Sequence, residues 1–450
     1  MKEILAQLQS IVPLVSKTTI RQMSQVIFGM LVITGRVTML GLSRWTDKGG
    51  SYRTIQRFYH TVLPWADMLW TIFVKLLWKA GDEYIIAGDE VVVSKAGKKT
   101  YGLDRFFSSI EQRPIPGISF FTFSLLNVRE RQSYPVQTTQ VVKSAEEKVA
   151  SKVKAQDQQA KKSAEKKKPG RPKGSKNKNK QAVVLNAELL RIKQALRSLL
   201  ETIGTVLSLK YVVLDGHFGN YPSAWMVRQE KLHLISKLRC DAALYLPFEG
   251  EYSAIGPHPK YGDKINVCEI NKKYLKQTSI EDNLRTDIYQ ATLLNKEFNF
   301  PLNVVIILKT NLDTQAQAHV ILFTTDLALA YDKIIEFYRL RFQIEFNFRD
   351  AKQYWGLEDF MNVKETAVTN AANLSFFMVN LSHLLLRPFQ QYNPDFSILD
   401  LKAHYLGYRY TAETIKLLPE KPDAILLASI FEHISRLGMI HPLFEPASST

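Results

Sequence analysis

Cysteine is scarce in this sequence: Cys240 and Cys268 are the only two among 450 residues. Two cysteines exclude a disulfide framework and a cysteine-rich zinc site, and a reducing cytoplasm is the simplest compartment for such a chain. Long apolar runs are missing as well. The most apolar early stretch, Val26 to Leu42, is interrupted by Arg36 and is too short to cross a bilayer. It reads as a buried helix, and no membrane association is expected. The opening Met1-Lys2-Glu3-Ile4 lacks the basic region and apolar core of a secretory leader. Acidic residues are in deficit, 43 against 59 Lys and Arg, for a net charge of +16. Such an excess points to a polyanionic partner, and nucleic acid is the commonest one.

The charge is concentrated. Residues 143–180 hold thirteen Lys and one Arg against four acids, a net +10, so the rest of the chain carries only +6. This stretch has no aromatic residue. It cannot bury enough apolar surface to offset chain entropy, so residues 143–182 are expected to form a basic linker, disordered in isolation. Within it, Lys168-Pro169-Gly170-Arg171-Pro172-Lys173-Gly174 resembles the AT-hook. Proline restricts the backbone, glycine permits close approach, and Arg171 suits a narrow, electronegative minor groove. The full hook has Arg where Pro169 stands. A solvated linker explains the run equally well.

Residues 1–80 read as helical, with apolar residues at three and four spacing in Ile20–Phe28 and again in Tyr52–Tyr59. Between these patterns lies Asp47-Lys48-Gly49-Gly50-Ser51, a turn ending in a good helix cap. A helix, a glycine turn and a helix bearing Arg53 and Arg57 suit a helix-turn-helix-like DNA reader; a plain helical bundle with surface arginines is the competing reading. Strands are expected at Tyr84–Val93, Ile118–Val128 and Tyr134–Val142. A long amphipathic helix over Val183–Leu207 follows, then a short strand over Leu209–Leu214 and a helix over Tyr221–Lys231. A strand at Leu232–Leu238 leads into a mixed stretch over 240–300, then strands at Leu302–Lys309 and His319–Thr325. One helix is expected from Tyr331 to Lys352, and a mostly helical tail from Leu374. This is the element order of an RNase H-like α/β core, in two parts over 81–142 and 183–239, with a mainly β insertion at 240–300. The core closes over 301–370 and a helical region fills 371–450.

In such a core the first strand, the end of the fourth and a late helix converge at one edge. Asp89 lies within the first strand, Asp215 follows Val212-Val213-Leu214, and Glu345 lies on the late helix. Phosphodiester chemistry has a use for three converging carboxylates. Two Mg²⁺ ions roughly 3.5–4 Å apart activate the nucleophile and stabilise the leaving oxygen. Mg²⁺ prefers oxygen ligands. Individually, an Asp at a strand end is commonly a turn former and a helix Glu is commonly solvated. A carboxylate amid Ile85, Ile86 and Val91–Val93, however, is costly unless paired or metal-bound.

The late helix is the most specific feature. Tyr338, Arg341, Glu345 and Lys352 are spaced by three, four and seven residues. At about 100° per residue they share one face within roughly 60°. That face offers a carboxylate for metal and two cations for flanking phosphates. Tyr-x2-Arg-x3-Glu-x6-Lys resembles the Y-R-E-K signature of a large group of bacterial insertion-sequence transposases, DDE enzymes that move DNA by cut and paste. The resemblance extends to Asp89 in an apolar strand and to Asp215-Gly216-His217-Phe218-Gly219, and the gap of 130 residues to Glu345 suits the β insert of that group.

The resemblance implies that Asp89, Asp215 and Glu345 are the catalytic metal ligands, holding two Mg²⁺, or Mn²⁺ in its place, once DNA is bound. Tyr338, Arg341 and Lys352 would contact the DNA-end backbone, with Arg53, Arg57 and Arg171 as further DNA contacts. The partners would be double-stranded DNA, as transposon ends and target, and a second copy in a homodimeric DNA complex. The setting would be the cytoplasm, at the nucleoid. Some relatives cut through a hairpin aided by a Trp in the insert, and residues 240–300 contain no Trp. Competing readings are an RNase H-like nuclease that does not join ends, a catalytically silent DNA binder, and an architectural binder of A·T-rich DNA. Among the remaining residues, Glu90 is expected on the face opposite Asp89. Ser94, Lys95, Lys98 and Lys99 read as DNA contacts or as a solvated loop. His60, His233 and His258 lack partners at ligand spacing. His217 reads first as a turn residue, and Gly356 as a helix cap after Trp355.

Overall fold

The computed structural model describes residues 2–46, 49–108, 111–148, 183–251 and 258–441. The basic segment from 149 to 182, with Arg171, lies outside these residues. So does the 252–257 stretch of the insert.

The chain opens with five helices, α1 (Lys2–Leu8), α2 (Lys17–Val32), α3 (Met39–Trp45), α4 (Tyr52–His60) and α5 (Trp65–Ile72). Their starts are chemically marked. Ser16 accepts from the Thr19 N–H at 3.1 Å, Thr38 from Gly41 at 3.0 Å and Ser51 from Thr54 at 3.4 Å. The Val26–Leu42 stretch is therefore not one buried helix. α2 ends at Val32, Ile33 is extended, and the Thr38 cap starts α3. On α4 the spacing buries Ile55, Phe58 and Tyr59 and leaves Tyr52, Arg53, Arg57 and His60 exposed.

The sheet follows: β1 (Tyr84–Ser94), β2 (Asp104–Ser108), β3 (Arg113–Asn127) and β4 (Gln132–Val141). Next come α6 (Ala187–Ile203), β5 (Tyr211–Val213), α7 (Tyr221–Gln229) and β6 (His233–Leu238). α6 is shorter than the apolar pattern, because Asn186 caps its start at the Leu189 N–H (2.8 Å) and Gly204 ends it at φ +57°. β3 pairs antiparallel with β1, and its other edge carries β2 and β4 in succession. β1, β5 and β6 run parallel. The order β4-β3-β1-β5-β6 is consistent with an RNase H-like core.

The sheet does not stop at β6. The remaining strands are β7 (Leu244–Pro247), β8 (Tyr261–Lys264), β9 (Leu275–Glu281), β10 (Leu284–Asn295), β11 (Leu302–Asn311) and β12 (Gln317–Thr324). β12 pairs antiparallel with β6, β11 with β12, and β10 with β11. β9 and the β7–β8 ribbon hang on β10. The strands at 302–324 thus continue the insert's own meander, and core and insert share one sheet.

Five more helices complete the chain: α8 (Tyr331–Leu340), α9 (Gln343–Gln353), α10 (Glu365–Gln390), α11 (Ile398–Leu417) and α12 (Ala424–Ser435). α10 is buried along most of its length and packs against β4, α4, α5 and α9. Terminal helices interlock: Lys402 Nζ donates to the Met30 carbonyl at 2.6 Å, and the Tyr405 hydroxyl to Glu3 at 2.8 Å. Among the described residues no helix is long and apolar enough to cross a membrane.

Candidate active site

Register brings the first two carboxylates together. Ile86 and Ala87 of β1 lie opposite Val212 and Val213 of β5. Two residues further on come Asp89, still within β1, and Asp215, just past the end of β5, and both line one cleft. Gly88 permits the close packing beneath them, since a Cβ there would lie 2.9 Å from Leu214, Phe121 and Phe123. Asp215 caps the turn that follows β5, accepting the His217 N–H at 3.2 Å.

The late helix supplies the third carboxylate, but it is not continuous. α8 ends at Leu340 and α9 begins at Gln343. Across the break the backbone bonds close over three residues: Phe342 N–H to Arg339 O (3.1 Å), Ile344 to Arg341 (3.0 Å) and Glu345 to Phe342 (3.0 Å). This tighter turn has 3₁₀ character. A single unbroken helix is therefore not what the chain forms, but Arg341, Glu345 and Lys352 still face one cleft, with Tyr338 against Arg341. From the tightened turn Arg341 reaches over to β1. Its Nη1 lies 2.8 Å from Asp89 Oδ2 and its Nη2 3.7 Å from Glu345 Oε1. The Arg341 side chain is 14% exposed and that of Glu345 44%.

Asp89, Asp215, Arg341, Glu345 and Lys352 line one cleft of about 680 Å³, together with Glu188, His217 and Arg349. Burial pushes the Asp89 carboxyl up to about 6; Arg341 opposes this shift, and Asp215 and Glu345 add to it. The three carboxylates are thus within electrostatic reach of each other. Lys352 is committed inward, donating to the Val92 carbonyl at 3.0 Å and pairing with Glu358 at 2.9 Å. The half-buried Tyr338 has its ring 5.9 Å from the Arg341 guanidinium, and burial holds its phenol above the usual range. Glu90, expected on the opposite face, also lines this cleft; it receives a hydrogen bond from the Ser119 hydroxyl, and burial raises its carboxyl too.

The cleft contains residues that spacing did not single out. Glu188, in the first turn of α6, lies 3.3 Å from His217 Nε2, and this hydrogen bond raises the imidazole pKa. Phe107 and Ser108 of β2 form part of the wall. Arg349, four residues after Glu345, could have been found by helical spacing. Nothing in the sequence marks Glu188. Lys95 lies outside the cleft, donating to the Glu358 and Phe360 carbonyls at 3.0 and 2.8 Å. Arg53 and Arg57 are exposed on α4 and are not part of the carboxylate cleft. The described ends of the basic segment emerge beside it: Glu147 pairs with Arg191 through both carboxylate oxygens, at 3.0 and 2.8 Å, one turn from Glu188.

A comparison with known families gives the superfamily. The sequence profile described as "DDE superfamily endonuclease" matches residues 10–299, more than half the chain. The chain belongs to the DDE superfamily endonucleases. No curated protein matches it. The matched region of this DDE chain contains Asp89 and Asp215 and ends before Glu345. Membership points to nuclease or transposase chemistry, for which enzymes of this superfamily generally use divalent metal. The donor set suits it, since all three carboxylates offer hard oxygen ligands. Among the described residues no three His, Cys, Asp or Glu side chains are arranged to hold an ion. In this DDE endonuclease the neutralising charge at Asp89 is Arg341.

Proposed function

We propose that the protein is a DDE transposase that binds the inverted-repeat ends of an insertion sequence, cuts them and joins the 3′-OH ends to target DNA. The observation that carries this reading is the β1–β5 register, which sets Asp89 beside Asp215, with Glu345 brought to the same cleft from the late helix. The Y-R-E-K spacing around Glu345 favours a transposase over a simple nuclease.

In this reading Asp89, Asp215 and Glu345 would hold two Mg²⁺ ions, for which Mn²⁺ could substitute. When bound, such ions activate the attacking oxygen and stabilise the leaving one. The protein's own groups orient the substrate. Arg341 and Arg349 stand at the cleft as cations for the phosphates flanking the scissile bond. Tyr338 backs the Arg341 guanidinium. Arg53 and Arg57 on α4 read the DNA ends, and the basic segment with Arg171 adds salt-dependent affinity. Action on two ends calls for a homodimer in the DNA complex.

The test is incubation with end-bearing DNA, target plasmid and Mg²⁺, comparing wild type with Glu345→Ala. The wild type is expected to yield both cut ends and joined products, and the variant neither. Equal cutting by both would sink the site assignment. Cutting without joining would leave a nuclease.

A further inference from the structure

We infer that Arg341 is the resident counter-ion of the carboxylate cleft: in the free protein it holds the place of divalent cation at Asp89 and Glu345, and must swing out before an ion is bound. This deepens the transposase reading and rests on it.

Three carboxylates in a partly enclosed cleft need positive charge, because an unpaired buried charge is strongly disfavoured. Among the described residues the ion pairs made by Asp89 and Glu345 are both with Arg341. Lys352, the other cation of the expected signature, is turned to Glu358 and Val92. One guanidinium therefore spans two of the three acids. It does so from the turn where the late helix tightens.

The pose also leaves something undone. Arg341 Nε is buried and has no hydrogen-bond partner. A buried donor without an acceptor is unfavourable, and such atoms are uncommon in native folds. An arginine serving only to brace the fold would be expected to use its whole donor fork. Here the two terminal nitrogens are engaged by acids and the inner one is stranded, so the carboxylates dictate the pose. The two contacts are unequal. The Asp89 contact is tight at 2.8 Å, and the Glu345 contact is loose at 3.7 Å on a side chain nearly half exposed. The guanidinium can leave from the Glu345 side into the open cleft, where a DNA phosphate would receive it.

A cation at Asp89 Oδ2 and a guanidinium 2.8 Å from the same atom exclude each other by charge and by volume. This exclusion couples the two ligands: a phosphate that draws Arg341 away favours ion binding, and an ion favours phosphate binding to the same degree.

The experiment is Mn²⁺ titration of the full-length, DNA-free protein, followed by electron paramagnetic resonance of the free ion. Wild type would be compared with Arg341→Gln, Arg341→Lys, Arg349→Gln and Asp89→Asn. Removing the counter-ion is expected to tighten Mn²⁺ binding about ten-fold, a modest response for one unit charge at this range. Arg341→Lys keeps the charge and cannot span both acids, so it should fall between. Arg349→Gln removes a charge from the same cleft, one paired with Asp350, and should change affinity less than about two-fold. Circular dichroism confirms that each variant is folded; if Arg341→Gln is not, the Arg341→Lys and Arg349→Gln comparison decides. Binding by the Arg341 variants no tighter than by wild type, with Asp89→Asn abolishing it, would overturn the counter-ion role and leave the metal assignment standing. Binding by Asp89→Asn equal to wild type would overturn both.

Discussion

Asn370 offers a test of how the proposed DNA-reading helix is seated. It is buried in α10, at 1% exposure, and its amide nitrogen donates to the Tyr59 and Thr61 carbonyls at 2.8 and 2.7 Å. Its amide oxygen accepts from the Trp65 indole N–H at 2.7 Å. The last carbonyls of any helix lack partners within it. At the end of α4, Asn370 supplies one for Tyr59, and the Thr61 hydroxyl supplies another for Arg57 at 2.8 Å. Asn370→Leu keeps the branched side-chain shape and deletes all of the side chain's hydrogen bonds. Trp65 and Tyr59 are at least 95% buried, so the stranded indole N–H and carbonyl have little access to water. At roughly 1–3 kcal/mol for each stranded group, the substitution should cost about 3–4 kcal/mol. Thr61→Val removes one bond at an exposed position and should cost under about 1 kcal/mol. Urea unfolding followed by circular dichroism measures both. An Asn370→Leu cost below about 1 kcal/mol, or one no larger than that of Thr61→Val, would refute the reasoning that this amide clamps the α4 terminus.

Other outcomes follow from the same physical accounting. His383 lies on α10 against β4, where Gln132 Nε2 donates to its Nε2 at 3.0 Å; burial, with Arg387 nearby, lowers its pKa to about 4. The unfolded chain takes up that proton near its ordinary value of 6.5, so stability is fully present above that pH and falls as pH drops toward 4. The loss should be about 2 kcal/mol between about pH 7 and pH 5, and His383→Gln should flatten it in denaturation curves. An unchanged pH slope in the variant would discount this histidine. Replacing residues 149–182, net +10, with a short Gly-Ser linker should lower the salt dependence of DNA binding by roughly one unit of slope per lost phosphate contact. End preference in gel shifts should survive, because Arg53 and Arg57 are untouched; its disappearance would assign specificity to the basic segment.

The first two carboxylates were legible because local sequence states their surroundings. Asp89 interrupts an apolar run and Asp215 ends one, and the two strands need only pair in parallel for the acids to meet. The helix break was not legible. A change from four-residue to three-residue bonding around Arg341 and Phe342 leaves no mark in composition, and the apolar pattern from Tyr331 to Ala351 runs through it unbroken. Glu188 was not legible either, since its place in the cleft depends on where the chain rejoins the fold after the basic segment. The sheet that unites core and insert was hidden for a similar reason. Strand patterns identify β11 and β12, but the pairing of β12 with β6 is a long-range choice.

The break also bears on how the residues around Glu345 divide their roles. On one straight helix, Tyr338, Arg341, Glu345 and Lys352 would all present the same face to DNA, and the two cations would be equivalent phosphate contacts. Their contacts make them unequal. Arg341 is turned across the cleft onto Asp89, whereas Lys352 is fixed to the β1 backbone and to Glu358. A lysine that bridges Val92 and Glu358 holds α9, and with it Glu345, at a set distance from the strand bearing Asp89. The same four-residue spacing thus yields two different functions: a movable guanidinium between the acids, and an ammonium that anchors the helix carrying one of them.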